Sequence, residues 1–283
     1  MIHPLGFGLF REVTAPRSGR QDVGESPGGP QDRFAWASAR ILLGGTPDIR
    51  TWELVAPPAF EVEEDGVAVC TGGGFDRICC ADRKIEHATV FKVKAGERIT
   101  WGIRTHGFRT VVALRPGSSK TEDLAGLARG SFTEAARWPG QRGTLRVLAG
   151  PEAGNLQDAE AFLKARWVTS PLSNDAGLRL EGGGSEAYTG SLREMVSAPV
   201  ADGTLQLTPD GLILLLRSRP TQGGYPRVFT VIGPDVDLAA QIPPRRRVRF
   251  EPVTLEMAVA VRRQQQTDLD RLRNRVRAWR DRA

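Results

Sequence analysis

Four short stretches of the chain concentrate residue types that act on small polar molecules. In PTQGGYPRVFTV (220–231), Gly223 and Gly224 permit close backbone approach. Pro226 fixes its own φ and biases Tyr225 toward an extended shape. Such a segment would aim the Tyr225 hydroxyl at a ligand or a domain seam, with Thr221 and Gln222 adding donors and acceptors. A strand-to-strand turn with a packed tyrosine accounts for the same residues. In SPLSNDAGLRLEGGG (170–184), Arg179 and Glu181 stand two apart, so in a strand they share a face. They would pair with each other or grip a carboxylate, work suited to the arginine fork. An ordinary surface salt bridge is the plainer outcome. In SGRQDVGESPGGPQDRF (18–34), Asp22 and Asp32 flank a Gly- and Pro-rich loop. They would form a ligand rim, or serve as a turn residue and a helix N-cap. CTGGGFD (70–76) suggests tight backbone and an anion nest.

Several common machineries are missing from the sequence. CTGGGFD has neither the lysine-serine ending of a Walker loop nor GxGxxG spacing, and no GxSxG elbow or HExxH is present. His3, His87 and His106 are scattered without a triad pattern. Three cysteines are too few for a disulfide framework. Cys70, Cys79, Cys80 and His87 lack CxxC spacing, so plain thiols are expected and no metal site. From Arg245 onward, twelve arginines face five acidic residues, a charge of +7 in a chain whose net charge is +6. The basic character therefore belongs to the tail, which argues against a nucleic-acid partner. The longest aliphatic run, Leu212 to Leu216, is far short of a membrane span, and the first residues do not read as a leader. A cytoplasmic protein with no membrane partner is expected.

The elements that must position these residues are mostly strands. FAWASARILL (34–43) predicts a helix capped by Asp32 and stopped by Gly44-Gly45. TWELVAPPAFEVEE predicts two strands broken at Pro57-Pro58, and GVAVCTGG, ATVFKV, ERITWGI and FRTVVALR continue the pattern. The stretch 116–142 reads as a linker or surface excursion with short helices near Glu122–Ala128 and Glu134. A second β-rich half follows, with a short helix at Asp158–Lys164 and a turn at Pro209-Asp210-Gly211. The end, Leu255 to Arg282, has no Pro or Gly and predicts a helix. Leu269, Leu272, Val276 and Trp279 fall on one of its faces, a stripe that packs on the body or docks on a partner. The expected organisation is a β-rich domain with linker over 1–143, a second β-rich domain over 144–254, and a basic amphipathic helix over 255–283.

Taken together, these segments resemble the family of the 5-oxoprolinase C subunit, also called allophanate hydrolase subunit 2 or biotin-dependent carboxyltransferase domain. The most specific match runs from Thr221 to Phe250: Gly223 to Pro226, Val231-Ile232, Asp235, Ala240-Gln241 and Val248 to Phe250 follow the family order. Gly177, Arg179 to Gly182, Leu145 to Pro151, Gln21-Asp22, Gly29 with Asp32, and Glu53 also match. The chain departs from the family pattern on polar residues. Glu25 and Asp175 stand where the pattern has arginines, Arg40 where it has an asparagine, and Ser218 where it has an aspartate.

The resemblance implies a mostly β fold of two linked cyclophilin-like β-barrel domains with a C-terminal helix. It implies partners resembling the B and A subunits of 5-oxoprolinase, in a complex that opens 5-oxoproline, a cyclic amide, to glutamate with ATP and Mg²⁺. Phosphorylation of the lactam oxygen would make attack by water feasible, with donors for the phosphate and the oxyanion. Our chemical assignment makes Arg179, Glu181 and Tyr225 catalytic, with Asp22, Asp32, Thr221, Gln222, Gly223 and Gly224 binding substrate. Two other roles fit the family: a regulatory protein that docks the B-like partner without turnover, and a carboxyltransferase working with a separate biotin carrier. No biotin is expected on this chain.

Overall fold

The computed structural model describes residues 2–117, 143–182 and 195–281. The short helices expected near Glu122 and Glu134 lie outside the described residues. The chain divides into two compact units. The first comprises Met1–Thr14, Asp32–Trp138 and Gln264–Ala283; the second comprises Ala15–Gln31 and Pro139–Arg263.

The first unit opens with β1 (Ile2–Pro4) and β2 (Leu9–Glu12), then helix α1 (Arg33–Leu42). Eight strands follow: β3 (Arg50–Ala56), β4 (Phe60–Val62), β5 (Gly66–Phe75), β6 (Ile78–Cys80), β7 (Arg83–Ile85), β8 (Phe91–Val93), β9 (Arg98–Trp101) and β10 (Arg104–Pro116). They form two five-stranded sheets, ordered β1-β4-β9-β6-β7 and β2-β3-β10-β5-β8. The break between β3 and β4 falls at Pro57-Pro58, as expected for residues without a backbone donor. Both sheets feed one core: Phe60, Ile78 and Ile99 from the first meet Trp52, Cys70 and Val112 from the second. The period-two alternation of the strands puts these side chains on the inner faces.

Helix α1 covers the other face of β5 and β10. Ala35, Ala39 and Leu42 are buried with Val67, Val69, Val111 and Ala113, and burial of a leucine stabilises by about 1.5–3 kcal/mol. Asp32 caps the helix, its Oδ1 accepting from the Ala35 N–H at 2.8 Å. Gly44 (φ 90°) and Gly45 (φ 71°) end it, and the Gly45 N–H returns to the Arg40 carbonyl at 2.8 Å.

The second unit contains β11 (Thr144–Ala149), α2 (Ala159–Lys164), β12 (Trp167–Thr169), β13 (Gly177–Glu181), β14 (Ala198–Pro199), β15 (Thr204–Thr208), β16 (Gly211–Leu215), β17 (Gln222–Gly223), β18 (Arg227–Val231), α3 (Gly233–Ala239) and β19 (Arg247–Pro252). Seven strands close a barrel in the order β11-β18-β15-β16-β13-β12-β19. The closing pair, β11 with β19, is parallel. Leu145, Trp167, Leu180, Leu205, Leu214, Val228 and Val248 are buried. Among the described residues only this unit forms a closed barrel; the strands of the first unit pair as two sheets, so a second barrel is not found. The short edge strands β14 and β17 pair with each other as a separate ribbon.

The final helix, α4 (Leu255–Arg280), is the longest. Its residues from Gln264 on belong to the first unit. Val276 is buried in that unit's core, with Leu269 and Leu272 packed against it. Three of the four stripe residues thus pack on the body; Trp279 stays 46% exposed. No described helix is long and apolar enough to cross a membrane.

Candidate functional site

The Gly-Gly-Tyr-Pro segment is built around a buried glutamine of the barrel. Gln206, 5% exposed, sits on β15 and donates from Nε2 to the Tyr225 carbonyl at 3.1 Å. A Cβ on Gly223 would lie 2.4 Å from that same nitrogen. A side chain at 223 would therefore have to push the Gln206 amide aside. The ribbon register is Ala198 with Gly223 and Pro199 with Gln222. The Val200 N–H donates to the Thr221 carbonyl, and the Met195 N–H to the Gly224 carbonyl at 2.6 Å. Beyond Pro226, Arg227 grips Glu152 with Nε and Nη2 at 3.0 and 2.8 Å. That fork holds the Glu152 carboxyl below its usual range. The segment is pinned on both sides of Tyr225. The half-buried Tyr225 ring keeps its hydroxyl without a hydrogen-bond partner among the described residues. Gly223→Ala is expected to displace Gln206 and break its bond to Tyr225, at a cost of about 1–3 kcal/mol. Denaturant unfolding of the single variant, Gln206→Ala and the double variant checks this, because relief of the clash predicts non-additivity.

Arg179 and Glu181 share the outer face of β13 and are exposed. Among the described residues no ion pair joins them, so of the two alternatives the mutual pair is not formed. Backbone pairing fixes them instead: Arg179 lies opposite Ile213, and Glu181 opposite Val168. Both charges are therefore open to solvent or to another molecule. No hydrogen bond joins them to Thr221–Tyr225 among the described residues. Asp22 lies in a 3-10 turn, Gln21–Val23, and is exposed. Asp32 is the buried cap of α1, and its N–H donates to Glu53 Oε1 at 3.2 Å. Glu53, 2% exposed, also accepts from Arg11 Nη2 at 2.9 Å. Glu53 and Asp32 thus hold α1 on its sheet, within the first unit.

A buried polar network in the second unit was not singled out from the sequence. Arg217 Nη2 donates to Asp237 at 2.6 Å, Nη1 to Asp202 at 3.1 Å, and Nε to the Gln31 carbonyl at 3.0 Å. Arg219 Nε donates to the other oxygen of Asp202 at 2.9 Å. The Gln31 side chain accepts from the Arg217 N–H, and donates to Ser218 Oγ and to the Asp175 carbonyl. Two departures from the family pattern, Asp175 and Ser218, therefore meet at one glutamine. The Ser218 N–H also donates to the Asp175 carbonyl at 3.2 Å. Positions 175 and 218 therefore lie side by side at Gln31. The available signal was the charge-rich RSRPT run with aspartates 15 and 20 residues from Arg217, which only the barrel brings together. A third departure, Arg40, has a structural role. It donates to the carbonyls of Ile49 and Thr46 and lies over the Trp36 ring at 5.3 Å. The fourth, Glu25, pairs with Arg20 on the surface.

The CTGGGFD glycines lie inside β5 opposite a bulged stretch of β10. A Cβ on Gly74 would sit 2.2 Å from the His106 ring, and one on Gly73 would sit 2.7 Å from Arg104 Nη1. The glycines make a trench for these two side chains. His87 meets His106 edge-on at 5.6 Å. Burial, then the neighbouring His106, pushes the His87 pKa down to about 4. Burial pushes the Cys70 and Cys80 thiols up to about 12, so neither is a thiolate at neutral pH. Among the described residues no group of three or more His, Cys, Asp or Glu is arranged to hold a metal ion.

The chain is 29% identical to the C subunit of 5-oxoprolinase from Escherichia coli K12, over 99% of its own length and 98% of that protein. It is 24% identical to the corresponding C subunit of Haemophilus influenzae 5-oxoprolinase, covering 92% of this chain and 93% of the relative. The crystal structure of the K. lactis urea amidolyase superposes with a TM-score of 0.81 at 18% identity, over 96% of this chain. This chain spans only 20% of that longer protein. The family model for the carboxyltransferase domain, subdomain A and B, matches residues 23–128 and 120–252, which takes in both units. The chain belongs to the family of carboxyltransferase domains, subdomain A and B.

Proposed function

We propose that the chain is a non-autonomous subunit of an ATP-dependent complex that opens 5-oxoproline to glutamate, working in the cytoplasm with proteins that resemble the B and A subunits of 5-oxoprolinase. The supporting observation is the end-to-end alignment with the E. coli 5-oxoprolinase C subunit, 99% of one chain on 98% of the other. The amide of a five-membered lactam is a poor electrophile, and opening it calls for donors aimed at the carbonyl oxygen where charge develops. In this reading the Tyr225 hydroxyl, which has no hydrogen-bond partner among the described residues, is the donor on this chain. Thr221, Gln222, Gly223 and Gly224 shape the rim beside it. The exposed Arg179 receives a carboxylate or phosphate delivered by a partner protein, and Glu181 orients water or that arginine. Asp22 is a weaker member of the rim, and Asp32 is engaged as a helix cap. The described residues offer neither a Walker loop nor a metal-ligand set, so ATP and Mg²⁺ belong in this reading to the complex.

The test is ATP-dependent glutamate formation from 5-oxoproline by this chain with its co-expressed partners. Omission of the chain is expected to abolish turnover. Tyr225→Phe is expected to lower kcat about 10²-fold, the order of a lost oxyanion donor, with the complex intact by gel filtration. Full turnover without the chain would sink the proposal. A stable complex that binds partners yet never turns over would favour the regulatory reading. The match to the carboxyltransferase-domain family model supports a second reading, carboxyl transfer from a separate biotin carrier; observing that transfer would replace the proposal.

A further inference from the structure

The first unit holds a cavity of about 890 Å³, within the roughly 300–1,000 Å³ of small-molecule sites. Phe7, Leu9, Pro57, Phe75 and Trp101 make apolar walls, and Arg104 is the single charged side chain of the lining. The Trp101 N–H is already bonded to the Pro58 carbonyl at 2.9 Å, so its ring serves as an apolar surface. The Arg104 guanidinium lies over the Phe75 ring at 4.5 Å. Nη1 donates to Thr110 Oγ1 at 3.0 Å and Nη2 to the Val55 carbonyl at 2.8 Å. The guanidinium reaches this pose because Gly73 has no Cβ to block Nη1. These two bonds hold the fork in place and leave further N–H groups of the five unspent.

No carboxylate pairs with Arg104 among the described residues. Burial alone moves its pKa, down to about 10, so it remains a cation at neutral pH. A charge withdrawn from water without a counter-charge is costly. The mouth of the cavity is also unusual. Phe7 is 107% exposed and Leu9 65% exposed. Phe7 is flanked by Gly6 and Gly8, and Gly8 abuts Pro58 so closely that a Cβ would lie 2.4 Å from its ring carbon. An aromatic ring held out in water beside an apolar cavity with a lone cation lacks a reason within the unit itself.

We propose that this cavity is a binding site for a small carboxylate with a compact apolar body, its carboxylate on the Arg104 fork and its body against Trp101 and Phe7. The inference needs only this chain and stands apart from the ring-opening activity. It also explains the glycines of β5, which seat the arginine.

Calorimetry on the full chain tests it, with cyclopentanecarboxylate as the probe and the uncharged cyclopentanecarboxamide as its match. The acid is expected to bind at least about tenfold tighter than the amide, as a charge-assisted fork requires. Arg104→Met is expected to erase that preference. Phe7→Ser, at a site too exposed to affect folding, is expected to weaken the acid severalfold with an unchanged melting temperature. Equal binding of acid and amide overturns the proposal, as does an Arg104→Met variant that keeps the preference. Should Arg104→Met fail to fold, the acid–amide comparison on the unaltered chain and the Phe7→Ser result decide. Absence of acid binding up to about 10 mM, with Phe7→Ser instead weakening assembly with a partner protein, overturns it in favour of a protein-docking surface.

Discussion

Arg217→Met is expected to destabilise the protein by about 3–5 kcal/mol, the cost of breaking a buried ion pair from one side. Arg217 is 5% exposed and Asp237 is 5% exposed. The substitution keeps the length of the stem and removes the fork, so Asp237 and Asp202 lose their bonds from this arginine. It also removes the Nε–H that fixes the Gln31 carbonyl. Urea unfolding of the full chain measures the loss. Arg217→Lys should fall between the parent and Arg217→Met, because a lysine keeps the charge without the geometry. Replacing both members, Arg217→Met with Asp237→Leu, should recover part of the loss, since the variant no longer buries a carboxylate stripped of its arginine. A loss below about 1 kcal/mol would mean that the network behaves like a surface pair. Asp175 and Ser218 touch this network through Gln31. The same experiment therefore tells whether the departures from the family pattern left a scaffold or a gap.

The second large effect is a loss of stability in acid. His87 has a folded pKa of about 4 against an ordinary 6.5. Burial is the main cause; the neighbouring His106 adds to it, and hydrogen bonding with the backbone of Gly73 and Gly72 opposes it. The Nε2 atom is buried without a hydrogen-bond partner among the described residues, so no acceptor waits for a second proton. The folded pKa is depressed, so the unfolded chain binds the proton first. The contribution is complete above pH 6.5, is lost progressively as the pH falls from 6.5 toward 4, and is flat below. The drop amounts to roughly 3 kcal/mol for a single site. Thermal or urea unfolding between pH 4 and 7 measures it, and His87→Gln should flatten that part of the profile. A parent profile without slope in this window would show that the fold leaves the His87 pKa at its unfolded value. His106, also lowered by burial and by Arg104, bends the profile in the same direction.

Local chemistry was legible in the sequence wherever a few neighbouring residues decide the structure. Asp32 as a cap, the two glycines that stop α1, the proline break after Ala56, the β15–β16 turn and the long arginine-rich helix follow from short-range rules. So did the family, because the order of Gly223, Tyr225, Asp235, Gln241 and Phe250 is itself a sequence property. The candidate site was only half legible. Tyr225 and its neighbours form one pinned segment, yet the cause, the amide of Gln206 under Gly223, lies on another strand. Arg179 and Glu181 share a face as their spacing requires, and whether they meet depended on side-chain reach that spacing does not set.

What the tertiary structure decided is which charges are buried together and which strands close. Arg217, Asp202, Asp237 and Gln31 are separated by up to about two hundred positions, and no periodicity links them; the barrel brings them within hydrogen-bond range. The glycines of β5 look like a nest in isolation and become a trench only when β10 lays His106 and Arg104 across them. Strand alternation says which side of each strand is apolar, and both a barrel and a pair of packed sheets satisfy it. Closure needs a specific edge partner. In the second unit β11 finds β19, whereas in the first the strands settle into two sheets. The sequence by itself determined the family and the local turns, because those are read within a few residues. Burial, charge pairing and closure are properties of contacts between distant strands, and these the fold alone could assign.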